Sequence, residues 1–311
     1  MADKIATRKA YGDILVKLGS QNSDIVVLDA DLSKSTMTAG FKKNYPDRFF
    51  NMGIAEQNMY GVAAGLALSG KTVFASTFAM FAAGRAYEIV RNSIGYTRAN
   101  VKICATHAGI TVGEDGGSHQ AIEDIALMRV IPGMTVISPS DAVSAEKLIE
   151  QAAAIDGPFY IRLGRSGVPV IYNENNNEIK IGKATFLREG KDVTVIAAGI
   201  MVEKALEAAE ILRGKGIDAT VLDMHTIKPI DEKAVIDAAK NTGNIVVCEE
   251  HSVIGGLYGS VAEIVVNKAP CKMAAVAIED KFGQSGKPDE LLEKYGLTVE
   301  NIVRKVEEIL S

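Results

Sequence analysis

Residues 101–124 read VKICATHAGITVGEDGGSHQAIED and contain the unit that decides the fold. The apolar run VKICAT, from Val101, predicts a strand buried in a sheet. A polar loop with several glycines follows this strand, and a helix is predicted over Ala121–Arg129. A strand, a polar loop and a helix in this order are typical of a parallel α/β sheet, in which ligands bind beyond the carboxyl ends of the strands.

The same alternation extends from this unit in both directions. Within the first 165 residues we predict one helix over Lys4–Leu18 and another over Asp141–Ile155, with Asp141 as the N-cap of the second. The predicted strands in this part of the chain are DIVVLDA, RFFN, TVFAS, TVISP and FYIRL. Residues 166–183, SGVPVIYNENNNEIKIGK, interrupt the rhythm with two glycines, one proline and four asparagines. The alternation then resumes in the order DVTVIAAG, helix 201–215, ATVLDM, helix 231–241, NIVVCEE, helix 255–267, MAAVAI and a helix from Thr298.

This organisation predicts an α/β protein of two doubly wound domains with mostly parallel sheets. The predicted domains are residues 1–170 and 184–311, joined by a linker at residues 171–183. A chain of 311 residues is long enough for two such cores.

Composition narrows the classes of partner. The chain has 34 Lys and Arg against 39 Asp and Glu, a net charge of −5, so we expect no nucleic acid and no membrane as partner. The three cysteines, Cys104, Cys248 and Cys271, are far apart and form no C-x-x-C pair, which predicts reduced core thiols. The N-terminal residues lack an apolar signal segment, and we expect a cytoplasmic protein.

Between Gln57 and Gly84 the only charged residue is Lys71. Lys71 divides this segment into two apolar halves that are each too short to span a bilayer. The first half predicts a helix of small apolar residues that is buried on every side. A large subunit interface is our preferred explanation, and a deep intradomain helix is the alternative.

The quoted loop concentrates residues that can carry chemistry. His107, Glu114, Asp115 and His119 lie among four glycines, which let a backbone turn sharply and approach a ligand closely. A metal site formed by His107, Asp115 and His119 is one interpretation, although no cysteine joins them and the spacing matches no metal motif. A capped loop whose Ser118 or His119 opens the next helix is another. We favour a site for a polar small molecule.

Other candidates follow other predicted strands. Glu56 starts the apolar helix, and we expect it to be buried with no polar residue on that face to receive it, as suits an acid/base residue. Phe78, Phe81 and Tyr87 are expected to be core residues on a helix. Polar side chains that come just after strand ends, or in the first turn of the first helix, are Asp31, Ser35, Arg165 and Arg8.

Together these segments resemble the C-terminal half of the transketolase family. The order ATRK, DADLSKS, GIAEQNM, STFAMF, ATHAGITVGEDGGSHQ and RLGRS is similar to the pyrimidine-binding domain of that family, and DMHTIKPID, EEHSVIGGLYGSV and EDKFGQSG are similar to its C-terminal domain. The resemblance covers residues 4–310. Residues 82–84 are small where relatives carry a third pocket aromatic, which leaves the pocket walls and the sugar preference open.

The resemblance implies a role for each candidate. Glu56 would hydrogen-bond N1′ of the aminopyrimidine of thiamine diphosphate, while Phe81 and Phe78 would flank that ring and Asp31 would lie close to the cofactor. His107, Arg165, Arg8 and Ser35 match positions that hold the sugar phosphate. Asp115 matches the residue that contacts the C2 hydroxyl of the acceptor aldose, and His119 matches the histidine near the donor carbonyl.

The resemblance also implies a partner. The family binds the cofactor diphosphate through Mg²⁺ with a GDG…N motif, which this sequence lacks. We therefore expect a subunit of a split transketolase that needs an N-terminal subunit to hold Mg²⁺ and that self-associates around a two-fold axis. The alternatives are a related thiamine-dependent ketol transferase on a less common sugar phosphate, and a non-catalytic homologue that only binds a partner.

Overall fold

The computed structural model describes residues 4–173 and 179–311. The strands in this part of the chain are β1 (Lys4–Ala6), β2 (Ile25–Asp29), β3 (Phe49–Asn51), β4 (Thr72–Phe78), β5 (Val101–Thr106), β6 (Thr135–Ile137), β7 (Phe159–Arg162), β8 (Gly167–Pro169), β9 (Thr185–Arg188), β10 (Val193–Ala197), β11 (Ala219–Asp223), β12 (Thr226–Lys228), β13 (Asn244–Ser252) and β14 (Lys272–Ile278).

The α-helices alternate with these strands. They are α1 (Thr7–Gln21), α2 (Ala39–Asn44), α3 (Glu56–Leu68), α4 (Tyr87–Ile89), α5 (Asp124–Arg129), α6 (Ala142–Ala154), α7 (Met201–Gly214), α8 (Glu232–Thr242), α9 (Leu257–Lys268), α10 (Pro288–Lys294) and α11 (Val299–Leu310). Two π-helical turns, Phe81–Arg85 and Val90–Gly95, flank α4.

Two large sheets confirm the predicted α/β class. The first has the order β12-β6-β7-β5-β4-β2-β3 and is parallel except for β12. The second has the order β14-β13-β10-β11-β9 and is parallel except for β9. All the predicted strands lie in these two sheets.

Helices cover both faces of the first sheet, because each face buries a separate apolar cluster. On one face α1 and α6 contribute Tyr11, Leu15 and Leu148. On the other face α3 contributes Met59 and Tyr60 to a cluster that continues into the second sheet. Asp141 caps α6 with a capping box, as the sequence predicted.

Two predicted helices need correction at their first residues. Helix α1 begins at Thr7 rather than Lys4, because Lys4–Ala6 forms an antiparallel strand with Gly167–Pro169. Helix α5 begins at Asp124 rather than Ala121, so neither Ser118 nor His119 caps it; Ala121 instead forms a parallel bridge with Ala108. Both differences come from pairing with distant residues.

Part of the predicted linker packs against the first domain. The carboxylate of Asp141 accepts hydrogen bonds from the backbone N–H groups of Ile171 and Tyr172 at 2.9 and 3.0 Å. Residues 174–178, the asparagine-rich centre, lie outside the described residues. Strand β12 does not follow the predicted division into two domains. It comes after the linker in the sequence but pairs with β6 of the first sheet. Otherwise the domain boundaries stay a prediction.

Within the single chain, helix α3 is buried on one side only. Met59, Tyr60 and Ala63 are buried, whereas Gly61 and Leu68 are exposed on the other face. That face is smooth, since a Cβ added at Gly61 or Gly65 would meet no atom within 4 Å.

All three cysteines are free, and Cys104 and Cys248 are buried as predicted. In the part of the chain that the structure describes, no helix is both long and apolar enough to cross a membrane.

Candidate functional site

The predicted site residues gather at the carboxyl edge of the first sheet. Parallel strands end at a common edge, so the loops that follow them lie side by side. Helix α1 joins this edge because the Thr7 hydroxyl accepts a hydrogen bond from the Gly164 N–H at 2.8 Å. The site residues that follow these strands, or that lie in the first turn of α1, are Asp31, Ser35, Glu56, Phe81, His107, Arg165 and Arg8.

Arg8 is the centre of a cationic corner. Its Nη1 donates to the carbonyl of Ser35 at 2.7 Å and lies 3.4 Å from Nε2 of His107, while its Nε donates to the carbonyl of Arg165 at 3.3 Å. Burial and the nearby charge of Arg165 lower the pKa of Arg8. Among the described residues Arg8 forms no salt bridge, so this corner is suited to an anion.

His107 combines an uncommon backbone conformation with a ring that is held in one protonation state. It has a φ of +58°, a left-handed conformation that non-glycine residues adopt rarely. Because Arg8 can only donate, Nε2 of His107 accepts, and Nδ1 carries the proton that faces the Thr106 hydroxyl at 2.9 Å. Burial, followed by the charges of Arg8 and Arg165, lowers the pKa of His107 to about 3. The ring is therefore neutral at physiological pH.

Aromatic rings form the wall beside this corner. The rings of Phe78 and His107 stack with centroids 3.9 Å apart, and those of Phe78 and Phe81 lie 6.0 Å apart. His119 meets Phe81 edge-on at 5.3 Å. Phe78 is buried as predicted, but the expectation of one helix is wrong: Phe78 ends β4, half-buried Phe81 begins a π-helical turn and half-buried Tyr87 begins α4.

Glu56 is buried as predicted, with 2% of its surface exposed. The expectation that no polar residue would receive it is wrong. Nη1 of Arg85 lies 3.1 and 3.3 Å from the two carboxylate oxygens, and the same guanidinium lies 4.5 Å from the centroid of Phe81. The π-helical turn places Arg85 close to both residues, which links Glu56 to the aromatic wall.

Arg165 and His119 both contact residues of the glycine-rich loop. Nη1 of Arg165 donates to Glu114 at 3.2 Å and also to the carbonyl of Val112. Nδ1 of His119 lies 3.0 Å from the Ser118 hydroxyl. Asp115 is exposed on the same loop, and within the described ranges no hydrogen bond joins it to the other candidates.

Asp31 follows β2 and contacts the end of β3. Its carboxylate accepts a hydrogen bond from the Asn51 side chain at 2.8 Å, and its backbone has a φ of +64°. Asn51 ends β3, so Asp31 supports the connection that leads to Glu56.

A metal site is not supported by the arrangement of these side chains. No group of three or more His, Cys, Asp or Glu residues that could hold a metal ion occurs between residues 4 and 173 or between 179 and 311. His107, Asp115 and His119 thus do not form the metal site that was one interpretation of the loop.

Sequence reasoning missed three residues that shape the site. Arg85 could have been found from the sequence, because it is the first charged residue after the nearly uncharged segment that ends at Gly84. Gln120 is part of the quoted loop, and its buried amide donates to the carbonyls of Ile110 and Gln284 at 3.1 and 2.9 Å. Glu250 had no signal, since it contacts the loop from the second sheet.

Comparisons with known proteins identify the family of the chain. The family model "Transketolase, pyrimidine binding domain" matches residues 3–170, and "Transketolase, C-terminal domain" matches residues 182–302. A protein of Methanocaldococcus jannaschii named as a transketolase C-terminal section is 52% identical over 97% of this chain and 95% of its own length. The 6-deoxy-6-sulfo-D-fructose transketolase subunit SqwH of a Clostridium species is 45% identical over 97% and 94%.

Longer and solved relatives extend the comparison. Human transketolase is 42% identical over 100% of this chain but only 50% of its own length. The solved structure of a split-gene transketolase, an inactive beta4 tetramer, is 56% identical and superimposes with a TM-score of 0.92 over 98% of both chains. The chain therefore belongs to the transketolase family, in which it corresponds to the C-terminal section.

Proposed function

We propose that the chain is the C-terminal subunit of a split transketolase that acts only together with an N-terminal subunit. The pair would transfer a two-carbon ketol unit from a ketose phosphate to an aldose phosphate with thiamine diphosphate. The observation that carries this proposal is the meeting of Arg8, Arg165 and neutral His107 beside an aromatic wall and a buried carboxylate.

The residues beside the aromatic wall fit the pyrimidine end of thiamine diphosphate. A buried carboxylate next to stacked rings suits a flat aminopyrimidine, with Glu56 at its N1′ atom and Phe78 and Phe81 against its face. When bound, the cofactor supplies the carbon nucleophile that accepts the ketol unit. Mg²⁺ and the diphosphate are assigned to the N-terminal subunit.

Glu56 would act on a proton. Its carboxylate is shielded from water and contacts Arg85, so a hydrogen bond from Glu56 to N1′ would form in a setting of low dielectric, where it would be stronger than in water. The guanidinium of Arg85 contacts both the carboxylate of Glu56 and the ring of Phe81.

The cationic corner would hold the sugar phosphate. Two arginines give charge-assisted hydrogen bonds to a dianion, and the single N–H of neutral His107 can donate to the same oxygens. Arg165 is paired with exposed Glu114, so a phosphate would take the place of that carboxylate. Ser35 contributes its backbone carbonyl, which fixes Arg8 in position.

The glycine-rich loop would contact the sugar itself. Asp115, exposed near the loop tip, is assigned to the C2 hydroxyl of the acceptor aldose. Nδ1 of His119 is engaged by Ser118, which assigns proton exchange with the donor carbonyl oxygen to Nε2.

Two findings support the partners. Human transketolase is about twice as long as this chain, and the split-gene transketolase of similar structure is an inactive beta4 tetramer. The exposed face of α3, with Gly61, Val62, Gly65 and Leu68, offers a smooth apolar surface for a second copy around a two-fold axis.

Reconstitution tests the proposal. The purified chain is mixed with its cognate N-terminal subunit, Mg²⁺ and thiamine diphosphate, and xylulose 5-phosphate and ribose 5-phosphate are added. We expect sedoheptulose 7-phosphate to form in a saturable, roughly equimolar titration of the two subunits, and none with either subunit alone. Robust turnover by this chain alone would contradict the need for a partner.

A second candidate differs in the sugar. The 45% identity to the subunit SqwH, which is named for 6-deoxy-6-sulfo-D-fructose, favours testing ketoses with other anionic groups. A reconstituted complex that turns over only such sugars would support this candidate.

A further inference from the structure

Two glycine-rich segments from different halves of the chain interlock at the site. We call residues 109–120 the substrate loop and residues 283–286, GQSG, the brace loop. A Cβ added at Gly117 would lie 2.7 Å from the carbonyl oxygen of Gly283, and one added at Gly116 would lie 3.2 Å from the backbone nitrogen of Ser285. The two backbones therefore approach as closely as they do only because side chains are absent there.

Hydrogen bonds join the two loops at two points. The Ser285 hydroxyl donates to the carbonyl of Glu114 at 2.6 Å. The amide of Gln120, 2% exposed, donates to the carbonyl of Gln284 in the brace loop and to that of Ile110 at the start of the substrate loop. Asp115 and His119 lie between these two attachment points.

The other end of the substrate loop is held from the second sheet. Oε1 of Glu250 accepts the Thr111 N–H at 2.7 Å. The carboxylate also packs on Gly109, where a Cβ would lie 2.2 Å from it. Glu250 is itself fixed because its backbone carbonyl accepts a hydrogen bond from Arg162 at 2.9 Å.

We propose that the brace loop is a positioning element of the active site, which holds Asp115 and His119 where the sugar must be contacted. The inference rests on the proposed function for the roles of these two residues. It gives the second half of the chain a part in substrate selection, although none of its side chains need touch the sugar.

Selectivity in the reconstituted complex gives the first test. Asp115 is assigned to the C2 hydroxyl, so the probe is the ratio of kcat/KM for ribose 5-phosphate to that for 2-deoxyribose 5-phosphate. Ser285→Ala removes one hydrogen bond to the substrate loop, and we expect the ratio to fall roughly threefold to tenfold. Ser285→Thr keeps the hydroxyl and should restore it. Ser20→Ala, which removes a similar bond to the Lys17 carbonyl at the far end of α1, should leave the ratio unchanged.

A steric variant gives a larger effect. A Cβ at position 283 would lie 1.8 Å from Oε1 of Gln120, so Gly283→Ala must displace that amide. We expect the selectivity ratio to fall further than in Ser285→Ala. The matched control is Gly214→Ala, because a Cβ there meets no atom within 4 Å.

Hydrogen–deuterium exchange gives a readout besides activity. The N–H groups of Thr111, Gly113, Gly116 and His119 are hydrogen-bonded within or to the substrate loop. In the complex they should exchange faster in Ser285→Ala and Gly283→Ala, with exchange in α1 unchanged.

The two readouts decide the matter together. Faster local exchange with lost selectivity is the expected result. Unchanged exchange, or an unchanged selectivity ratio despite faster exchange, would overturn the inference. A wild-type complex with no ketol transfer would overturn the proposed function instead, and the exchange data would still decide whether the brace loop holds the substrate loop.

Discussion

The carboxyl edges of the two large sheets both carry charged side chains, but these side chains are satisfied in different ways. At the first edge, Arg8 and His107 donate to or lie against neutral groups and are left with a net positive charge. At the second edge, Glu249 accepts the N–H groups of Leu257 and Tyr258 at 2.7 and 2.9 Å, and so caps α9.

Asp223, at the end of β11, likewise forms hydrogen bonds with groups of the protein itself. Its carboxylate accepts hydrogen bonds from the hydroxyls of Ser140 and Tyr172, the latter at 2.7 Å. A polar residue after a parallel strand is therefore a weak sign of function by itself. What distinguishes Arg8 from Glu249 and Asp223 is that, among the described residues, Arg8 contacts neutral groups only and has no partner of opposite charge.

The largest expected effect comes from exchanging one buried carboxylate at each edge. Glu56→Gln should lower turnover of the reconstituted complex roughly a hundredfold or more, because an amide cannot share a proton with N1′ as a carboxylate does. Glu249→Gln should instead lower the free energy of unfolding by about 1–3 kcal/mol through the weakened cap. Turnover per folded complex and urea denaturation are measured for both.

Two results would contradict this comparison of Glu56→Gln with Glu249→Gln. Wild-type turnover in Glu56→Gln would remove the assigned role of that residue. A loss of turnover in Glu249→Gln as large as that in Glu56→Gln would abolish the distinction between the two edges.

The next effect concerns the pH dependence of stability at the second edge. Burial raises the pKa of Asp223 from 3.8 to about 7. Between these values the folded chain holds a proton that the unfolded chain has released, so raising the pH favours unfolding. Complete titration of this group corresponds to roughly 4 kcal/mol, lost as the pH rises from about 4 to about 7.

Asp223→Asn replaces the titratable carboxyl group with an amide that does not ionise. The free energy of unfolding of the wild type, relative to that of Asp223→Asn, should fall as the pH rises from about 5 to about 7.5. Taking the difference between the two proteins cancels the opposite contribution of His225, whose pKa burial lowers to about 4. A difference that is independent of pH would contradict the assignment.

Local patterns predict the general fold. The alternation of apolar runs and helices places the strands in two parallel sheets and the candidate residues at one edge, since both follow from chain order. The burial of Glu56 was also predictable, because the helix that it begins has few polar residues.

Contacts between distant residues were not predictable. The partner of Glu56 depends on a π-helical turn at Phe81–Arg85, which ordinary helical periodicity does not indicate. Strand β12 joins the first sheet across the predicted domain boundary. The close approach of Gly117 to Gly283 joins residues from opposite halves of the chain, so no local pattern contains it.

The cationic corner at the first edge is the central claim, and one ratio tests it most directly. In the reconstituted complex, kcat/KM is measured with a ketose phosphate and with unphosphorylated hydroxypyruvate as donors, for the wild type, Arg165→Ala and Arg304→Ala. Arg304 is a matched control because it lies on α11 of the second half, where it pairs with Glu308.

We expect Arg165→Ala to lower kcat/KM for the phosphorylated donor roughly 10- to 150-fold, as the loss of a charged contact of about 1.5–3 kcal/mol implies. The value for hydroxypyruvate should change little, and Arg304→Ala should leave both values unchanged. An equal loss for both donors in Arg165→Ala would show that this arginine is structural and would contradict a phosphate site at the first edge.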